Sequence, residues 1–482
     1  MVRRGIRAER LTGPLAPAGA ALARLDERLT DVQQGAGLLA DLPAAARSSL
    51  GIDRPRVYAI LGQNSAELRP TGGFIGSVGL ITVRDGVIVA EDYRSSYAFD
   101  NPSRGFEPLP APMAAHLGPG GWSLRDTNWS PDFPTAAAKA EDLLRRHQDL
   151  TVDGVIGVNT YSVGMLLEAL GPLPVEGFDQ PVTAETWYGL AERLIYFDES
   201  GHTVDNADDN KQLVLQPILR AVINRVQGAG PEDVAPLLRA VQRATRERQL
   251  QVMFHDPAAA ALARRTGADG RFAPPQGDAL ALVDANLSYS KIGPYVRTHI
   301  RYEVALSARG TAERSRVTVT YENTLPPEEA NRPGRRMYGA EMDPATGRLY
   351  FNRGVFGTYA RLYIPRNSRI LDPGPDTPPP VTGRDLDMTT IERYYSVSAG
   401  TSRGFSYSYQ IPTDANPAGR YRLHVRKQSG VAAYDLEVRV RLPAGMGASA
   451  NLPTSVEGNT LIFRSDVFSD LDLVLRLEQP TP

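Results

Sequence analysis

The hydrophobic period changes once along this chain, and that change divides it into two kinds of architecture. Up to Asp284-Ala285-Asn286, short apolar runs alternate with helical patterns; beyond it the period is two. Val57 to Leu61 reads as a short buried strand. Ile75 to Val83 and Val87 to Ala90 form a strand pair turned at Asp85-Gly86, and Val155 to Val158 is a further strand. Helices are predicted over Pro134 to His147, Ser162 to Leu170, Ala184 to Tyr196, Lys211 to Val226 and Pro231 to Leu250. In the second part Val296, Thr298, Ile300, Tyr302, Val304 and Leu306 alternate with mostly charged residues, and Tyr434, Leu436, Val438, Val440 and Leu442 do the same. Such alternation buries one face only in a strand, as in antiparallel sandwiches.

The expected fold is therefore α/β followed by all-β, with an N-terminal helix. Residues 1–50 form the helical segment, 51–290 the α/β domain, and 291–482 a β-sandwich region of one or two sandwiches. The helix is read from Leu22, Leu25, Leu29, Val32, Ala36 and Leu39, three and four apart and ended by Leu42-Pro43. It serves either as a stalk or dimerisation helix or as a helix laid on the following domain.

Charge and composition exclude several functions. Lys+Arg 53 against Asp+Glu 55 leaves a net charge of -2, so no basic field exists to hold nucleic acid. The absence of cysteine removes disulfides, thiolate catalysis and iron-sulfur ligation. No apolar run reaches the roughly 18 residues of a membrane span, which implies a soluble chain or an anchor outside it. The six histidines lack metal-ligand spacing. Gly73-x-x-Gly76-x-x-Gly79 runs on into an alternating strand and opens no helix, so it reads as spaced glycines that let a backbone approach, not as a dinucleotide loop.

Two segments are dense in groups that could bind an anion. In Gln63-Asn64-Ser65-Ala66-Glu67-Leu68-Arg69-Pro70-Thr71-Gly72-Gly73-Phe74, Arg69 and the amides of Gly72 and Gly73 suggest an oxyanion or phosphate cradle. The alternative is a turn in which Arg69 pairs with Glu67 or Asp126. In the segment Trp122 to Pro134, the donors of Arg125 and Asn128 precede a helix N-terminus, while Asp126 and Asp132 are open to capping that helix or holding a hard cation.

The strings QNSAELRPTGGFIGS, RDTNWSPDFPTAA, VDGVIGVN, LLEALGPLPV and DANLSYSK resemble the bacterial family known as domain of unknown function 4012, over about Arg56 to Gln428. That resemblance implies a protein tethered outside the cytoplasmic membrane, at the cell envelope or surface. The α/β part also resembles the LytR-CpsA-Psr family, whose members move glycopolymers from polyprenyl-pyrophosphate carriers to peptidoglycan. Arg69-Pro70-Thr71 and Leu124-Arg125-Asp126-Thr127 resemble its arginine boxes, and Asp209-Asn210-Lys211-Gln212 its later Arg-Gln pair. The resemblance implies Arg69, Arg125, Gly72, Gly73, Asn128, Lys211 and Gln212 as ligand-binding residues, and Asp126 and Asp132 as catalytic candidates. The partner it implies is an envelope glycan or polyprenyl-linked substrate. Two carboxylates expected to hold magnesium are replaced, by Gln63-Asn64 and by Pro70-Thr71, which puts metal-assisted phosphoryl transfer in doubt while leaving magnesium open as a cofactor. Three readings stay open: a glycopolymer phosphotransferase, a surface protein that binds an anionic ligand without chemistry, and a purely structural ion network.

Overall fold

The computed structural model describes residues 42–196, 207–307, 311–330, 341–342, 349–350, 354–412 and 419–478. The expected helix over Leu22 to Leu39 lies outside the described residues. Described chain begins in a short helix, α1 (residues 42–49), and enters a five-stranded sheet.

That sheet contains β1 (Arg56–Asn64), β2 (Phe74–Arg84), β3 (Val87–Ser95), β4 (Gly154–Asn159) and β5 (Leu250–Phe254), in the spatial order β3-β2-β1-β4-β5. Only β1 and β4 run parallel; the other neighbours are antiparallel. The helices are α2 (Ala111–Leu117), α3 (Phe133–Gln148), α4 (Thr160–Leu170), α5 (Trp187–Tyr196), α6 (Ala207–Gln227), α7 (Pro231–Arg246) and α8 (Pro257–Thr266). Helix α3 starts where Asp132 accepts a bond from the Thr135 amide and Pro134 fills the first turn, and ends with Arg145, Arg146 and His147 against its negative pole. Its face of Phe133, Ala137, Ala140, Leu143 and Leu144 is buried on Ala59, Leu61, Ile75, Val78 and Val155 of the sheet. Each fully buried leucine or phenylalanine there contributes roughly 1.5–3 kcal/mol relative to exposure. The opposite face of the sheet is covered by α4, α5 and α6, whose Leu167, Leu170, Trp187, Leu190, Ile195, Val214 and Ile218 share a second core.

Two corrections apply to the expected elements. The helix predicted to reach Leu250 stops at Arg246, because Arg248 takes a positive φ of 59° and the chain then turns into the edge strand β5. The domain boundary expected at 290 falls before Asp278. Strand β6 (Asp278–Asn286) belongs to the second part of the chain, where β11 and β16 flank it. All nine of its residues are buried, so both faces are covered and no alternation marks it.

The later strands are β7 (Val296–Leu306), β8 (Ala312–Asn323), β9 (Glu341–Met342), β10 (Leu349–Tyr350), β11 (Phe356–Ile364), β12 (Arg369–Asp372), β13 (Val381–Asp385), β14 (Met388–Val397), β15 (Ser402–Gln410), β16 (Arg420–Arg426), β17 (Tyr434–Arg441), β18 (Gly447–Ala450), β19 (Ser455–Glu457), β20 (Thr460–Val467) and β21 (Leu471–Glu478). Apart from the β9-β10 ribbon they form two seven-stranded sheets, β13-β14-β11-β6-β16-β21-β18 and β12-β15-β8-β7-β17-β20-β19. One core joins both: Leu282, Phe356, Ile391, Leu423 and Leu473 of the first sheet cluster with Ile300, Val317, Phe405, Val438 and Phe463 of the second. A single sandwich follows the α/β unit.

Candidate functional site

The junction of the two units holds a chamber of about 800 Å³, lined by Glu67, Arg69, Phe74, Tyr97, Asp100, Arg125, Asp126, Tyr196, Lys211, Asn286, Tyr289 and Lys291, among others. Each wall has its own origin. Glu67 and Arg69 sit on the loop between β1 and β2. Arg125 and Asp126 sit on a short 3-10 turn, Leu124–Trp129. Lys211 comes from α6, and Asn286, Tyr289 and Lys291 come from the end of β6 and the loop after it.

Local bonds hold the 3-10 turn. Asp100 Oδ1 accepts from the Leu124 amide (3.1 Å), Thr127 Oγ1 donates to Leu124 O (3.0 Å), and Trp122 Nε1 donates to Asp126 O (2.9 Å). Asn128 ties the turn to the β1-β2 loop, donating from Nδ2 to Gln63 Oε1 (3.0 Å) and Gly73 O (2.7 Å). Gln63 Oε1 also accepts from Thr71 Oγ1 (2.9 Å). The neutral amide of Gln63 thus joins two segments from within the protein.

Arg69 and Arg125 do not touch; one carboxylate stands between them. Asp126 Oδ1 lies 3.6 Å from Arg69 and Oδ2 lies 3.4 Å from Arg125, which in turn faces Asp100 at 3.6 Å. The Arg69 and Asp126 side chains are 7% and 5% exposed, that of Arg125 32%. At 3.6 Å the Arg69 contact is an ion pair without a hydrogen bond, and Arg69 Nε and Asp126 Oδ1 are buried with no hydrogen-bond partner. Such groups cost free energy unless a guest satisfies them. Burial pulls the Arg69 guanidinium below its ordinary value, with Asp126 opposing, but an arginine keeps its charge.

Aromatic rings frame the cations. The Arg125 guanidinium lies 4.7 Å and the Lys211 ammonium 5.8 Å from the Tyr97 ring centre, and Lys291 lies 4.9 Å from that of Tyr196. Lys291 also contacts the Glu67 carboxylate. Four cations, Arg69, Arg125, Lys211 and Lys291, face the three carboxylates Glu67, Asp100 and Asp126. The excess charge is positive when Lys291 is protonated.

Beside this chamber lies a second cavity of about 300 Å³, of different chemistry. Its floor is sheet, with Ile60, Gly76 and Val158. Its roof is Val163 and Leu166 of α4, Trp187, Ala191 and Ile195 of α5, and Leu215, Ile218, Leu219 and Val222 of α6. A Cβ added at Gly76 would meet only the Phe74 ring, at 3.9 Å, so this glycine leaves the floor open. Glu67, Phe74, Tyr196 and Lys211 stand in the walls of both cavities.

Of the residues singled out in the sequence, Arg69, Arg125, Asp126 and Lys211 line the chamber. The others do not. Asp132 is committed to the fold: Oδ2 accepts from the Thr135 amide (3.1 Å) and hydroxyl (2.7 Å), and Oδ1 from the Phe272 amide (2.7 Å). Asn128 is used as described above. The Gly72 amide donates to Arg69 O (2.9 Å) inside the turn, and a Cβ at Gly73 would fall on the Asn64 carbonyl, so both glycines serve the turn's shape. Gln212 is exposed and lines neither cavity. Glu67 was named only as a pairing partner for Arg69, Tyr289 and Lys291 stand in the string DANLSYSK without a role assigned to them, and Tyr97 and Tyr196 were not singled out, because these residues meet only in space.

The donor set does not fit a magnesium ion. Both Asp126 oxygens face guanidinium groups, and Asp100 is divided between the Leu124 amide and Arg125. Among the described residues no group of three or more His, Cys, Asp or Glu side chains could hold a metal.

Residues 53–196 match the family model described as "Protein of unknown function (DUF4012)", so the segment from β1 through α5, with Arg69 and Arg125, is similar to that family. No curated protein matches the chain. Among solved structures it is similar to TagV of Bacillus subtilis (13% identity, 45% of this chain and 80% of that one, TM-score 0.27). A LytR-Csp2A-Psr enzyme from Actinomyces oris gives 11% identity over 44% of this chain and 75% of that one, with a TM-score of 0.28. Protein gbs0355 from Streptococcus agalactiae gives 14% identity, 45% and 75% coverage, and a TM-score of 0.29. Overlaps this partial transfer no activity to this chain. No helix among the described residues is long and apolar enough to cross a membrane.

Proposed function

We propose that this protein binds an amphiphile with a phosphate-type anionic head and an apolar tail, as in a polyprenyl-pyrophosphate-linked glycan, without chemistry of its own. The single observation that carries this reading is the pairing of the two cavities: a cation-rich chamber and an apolar channel that share the wall residues Glu67, Phe74, Tyr196 and Lys211. The head group meets Arg69, Arg125, Lys211 and Lys291, and the unpartnered Arg69 Nε gains an acceptor. The tail lies under α5 and α6, where apolar burial supplies affinity. The chamber's volume leaves room for sugar residues beside the phosphates. A catalytic reading is less well supported, because Asp126 is held by two guanidiniums and Asp132 is a helix cap. A ligand of this kind belongs to the outer side of a bacterial cytoplasmic membrane, the setting that the sequence resemblance implies.

The test is calorimetric titration of the full chain with geranylgeranyl pyrophosphate, with geranylgeraniol and inorganic pyrophosphate as head-less and tail-less probes. The intact amphiphile is expected to bind at least tenfold more tightly than either fragment, and Arg125→Ala and Lys211→Ala to weaken it by about tenfold each. Equal binding by parent and both variants overturns the proposal.

A further inference from the structure

The β-sandwich is attached to the chamber by more than proximity. Along the β1-β2 loop, its residues hold position after position. The Gly293 amide donates to Ala66 O (3.0 Å) and the Asn286 amide to Leu68 O (2.8 Å). Gln428 Nε2 donates to Arg69 O (3.3 Å), Thr71 pairs with Ser429 as an isolated parallel bridge, and a Cβ on Gly430 would fall on the Gly72 carbonyl.

The strip that makes these last three contacts, residues 427–431, is itself fixed from several sides. Gln428 is 4% exposed; its Oε1 accepts from the Asp284 amide (2.8 Å) and its Nε2 also donates to Asp284 O (2.8 Å). Gln249 Oε1 accepts from the Gly430 amide (3.0 Å) and from Asn159 Nδ2 (2.7 Å). The buried Lys427 ammonium donates to Glu247 O (3.1 Å), Gln428 O (3.1 Å) and Val431 O (2.5 Å). A loop clamped on several of its carbonyls by a rigid neighbour has few conformations left, which is how a side chain at its centre is held ready for a guest.

We infer that residues 427–431 of the sandwich set the conformation of the Arg69 loop, and that Gln428 is a positioning residue for the anion chamber. The inference rests on the proposed anion site only for its effect on binding. Its structural half stands apart. Two backbone hydrogen bonds close the loop on itself, from Gly72 N to Arg69 O (2.9 Å) and from Phe74 N to Glu67 O (2.8 Å), and both report on the clamp without any ligand.

The experiment is hydrogen exchange over residues 63–75 of the full chain, together with titration of geranylgeranyl pyrophosphate, for the parent, Gln428→Met and Tyr363→Phe. The buried Tyr363 hydroxyl donates to Asp385 Oδ2 at 2.7 Å within the sandwich, away from residues 427–431, so its variant separates general loosening from loss of the clamp. Gln428→Met is expected to speed exchange of the Gly72 and Phe74 amides about tenfold and weaken binding about tenfold, while Tyr363→Phe changes neither. Ser429→Ala, which removes only the 3.3 Å contact from Asn159 Nδ2, is the milder variant should Gln428→Met not fold, with an effect of about threefold. Unchanged loop exchange in a folded clamp variant overturns the inference. Faster exchange with undiminished binding overturns the positioning role. If exchange responds but the parent binds no amphiphile, the anion site is wrong and the structural clamp stands.

Discussion

The Lys291 ammonium, carried on a loop of the sandwich, lies against the Glu67 carboxylate of the α/β unit, and both face the chamber. Neither unit owns the site. Burial pulls Lys291 down to about 7. Its positive charge is therefore complete below pH 6 and lost as pH rises through 7. Affinity for geranylgeranyl pyrophosphate is expected to fall several-fold between pH 6 and pH 8.5, and Lys291→Arg to flatten that fall, because arginine stays charged throughout. Titration calorimetry at four pH values checks it; a slope retained in Lys291→Arg refutes the assignment to this amine.

Asp126 occupies both guanidiniums, so on the proposed reading it competes with an incoming anion. In Asp126→Asn the buried Arg69 loses its carboxylate, which costs on the order of 3 kcal/mol in the empty protein. A phosphate-type guest would replace the lost charge. The variant is expected to melt lower than the parent without ligand, and to gain more than the parent on adding pyrophosphate. Differential scanning calorimetry with and without 5 mM-range pyrophosphate, roughly a saturating excess for a micromolar site, gives both numbers. A variant that melts like the parent in both conditions would mean that Asp126 does not balance Arg69.

Filling the apolar channel should separate tail from head. Ala191 is buried on α5 and faces the channel. Ala191→Trp is expected to lower affinity for geranylgeranyl pyrophosphate by at least tenfold while leaving inorganic pyrophosphate unchanged. Fluorescence competition with the two probes measures the ratio, and an equal loss for both would point to distortion of the fold.

The sandwich core carries its own pH dependence. Asp278 accepts from Tyr302 (2.5 Å) and Tyr421 (2.6 Å), and Asp284 from Tyr321 (2.6 Å) and Thr358 (3.0 Å). Burial raises each from its ordinary 3.8 to about 6, despite these donors. The folded chain thus holds a proton that the unfolded chain releases, so stability is greatest below about pH 4 for these two groups and falls as pH rises through 6. Each is worth on the order of 3 kcal/mol. Asp284→Asn, which keeps an acceptor for Tyr321 and Thr358, is expected to stabilise the protein at pH 7.5 and remove about half of that slope. Urea unfolding at pH 5 and 7.5 tests it.

Elements with a one-sided environment were legible in the sequence. Strands β7 and β17 alternate because one face is wet, and α3 is bounded by Asp132-Phe133-Pro134 and a basic last turn. Strand β6 was not, because a segment covered on both faces has no period to read, and the boundary was set too late for that reason. The chamber divides in the same way. Arg69 and Arg125 stand in segments of unusual local density, whereas Lys291 and Gln428 act through residues more than 200 positions away. Asp132 shows the converse: its sequence context allowed a cap or a cation ligand, and in the fold one oxygen caps α3 at Thr135 while the other accepts from the Phe272 amide.

The clamp on Ala66, Leu68, Arg69 and Thr71 also bears on the order in which this molecule is made. A ribosome delivers Arg69 long before residue 430, so the nascent α/β unit has its arginines and the loop's internal bonds but not the hold from the sandwich. Products cut short before residue 430 lack the Gln428 bond and the Thr71–Ser429 bridge, so the loop that carries Arg69 is completed only when synthesis is nearly finished.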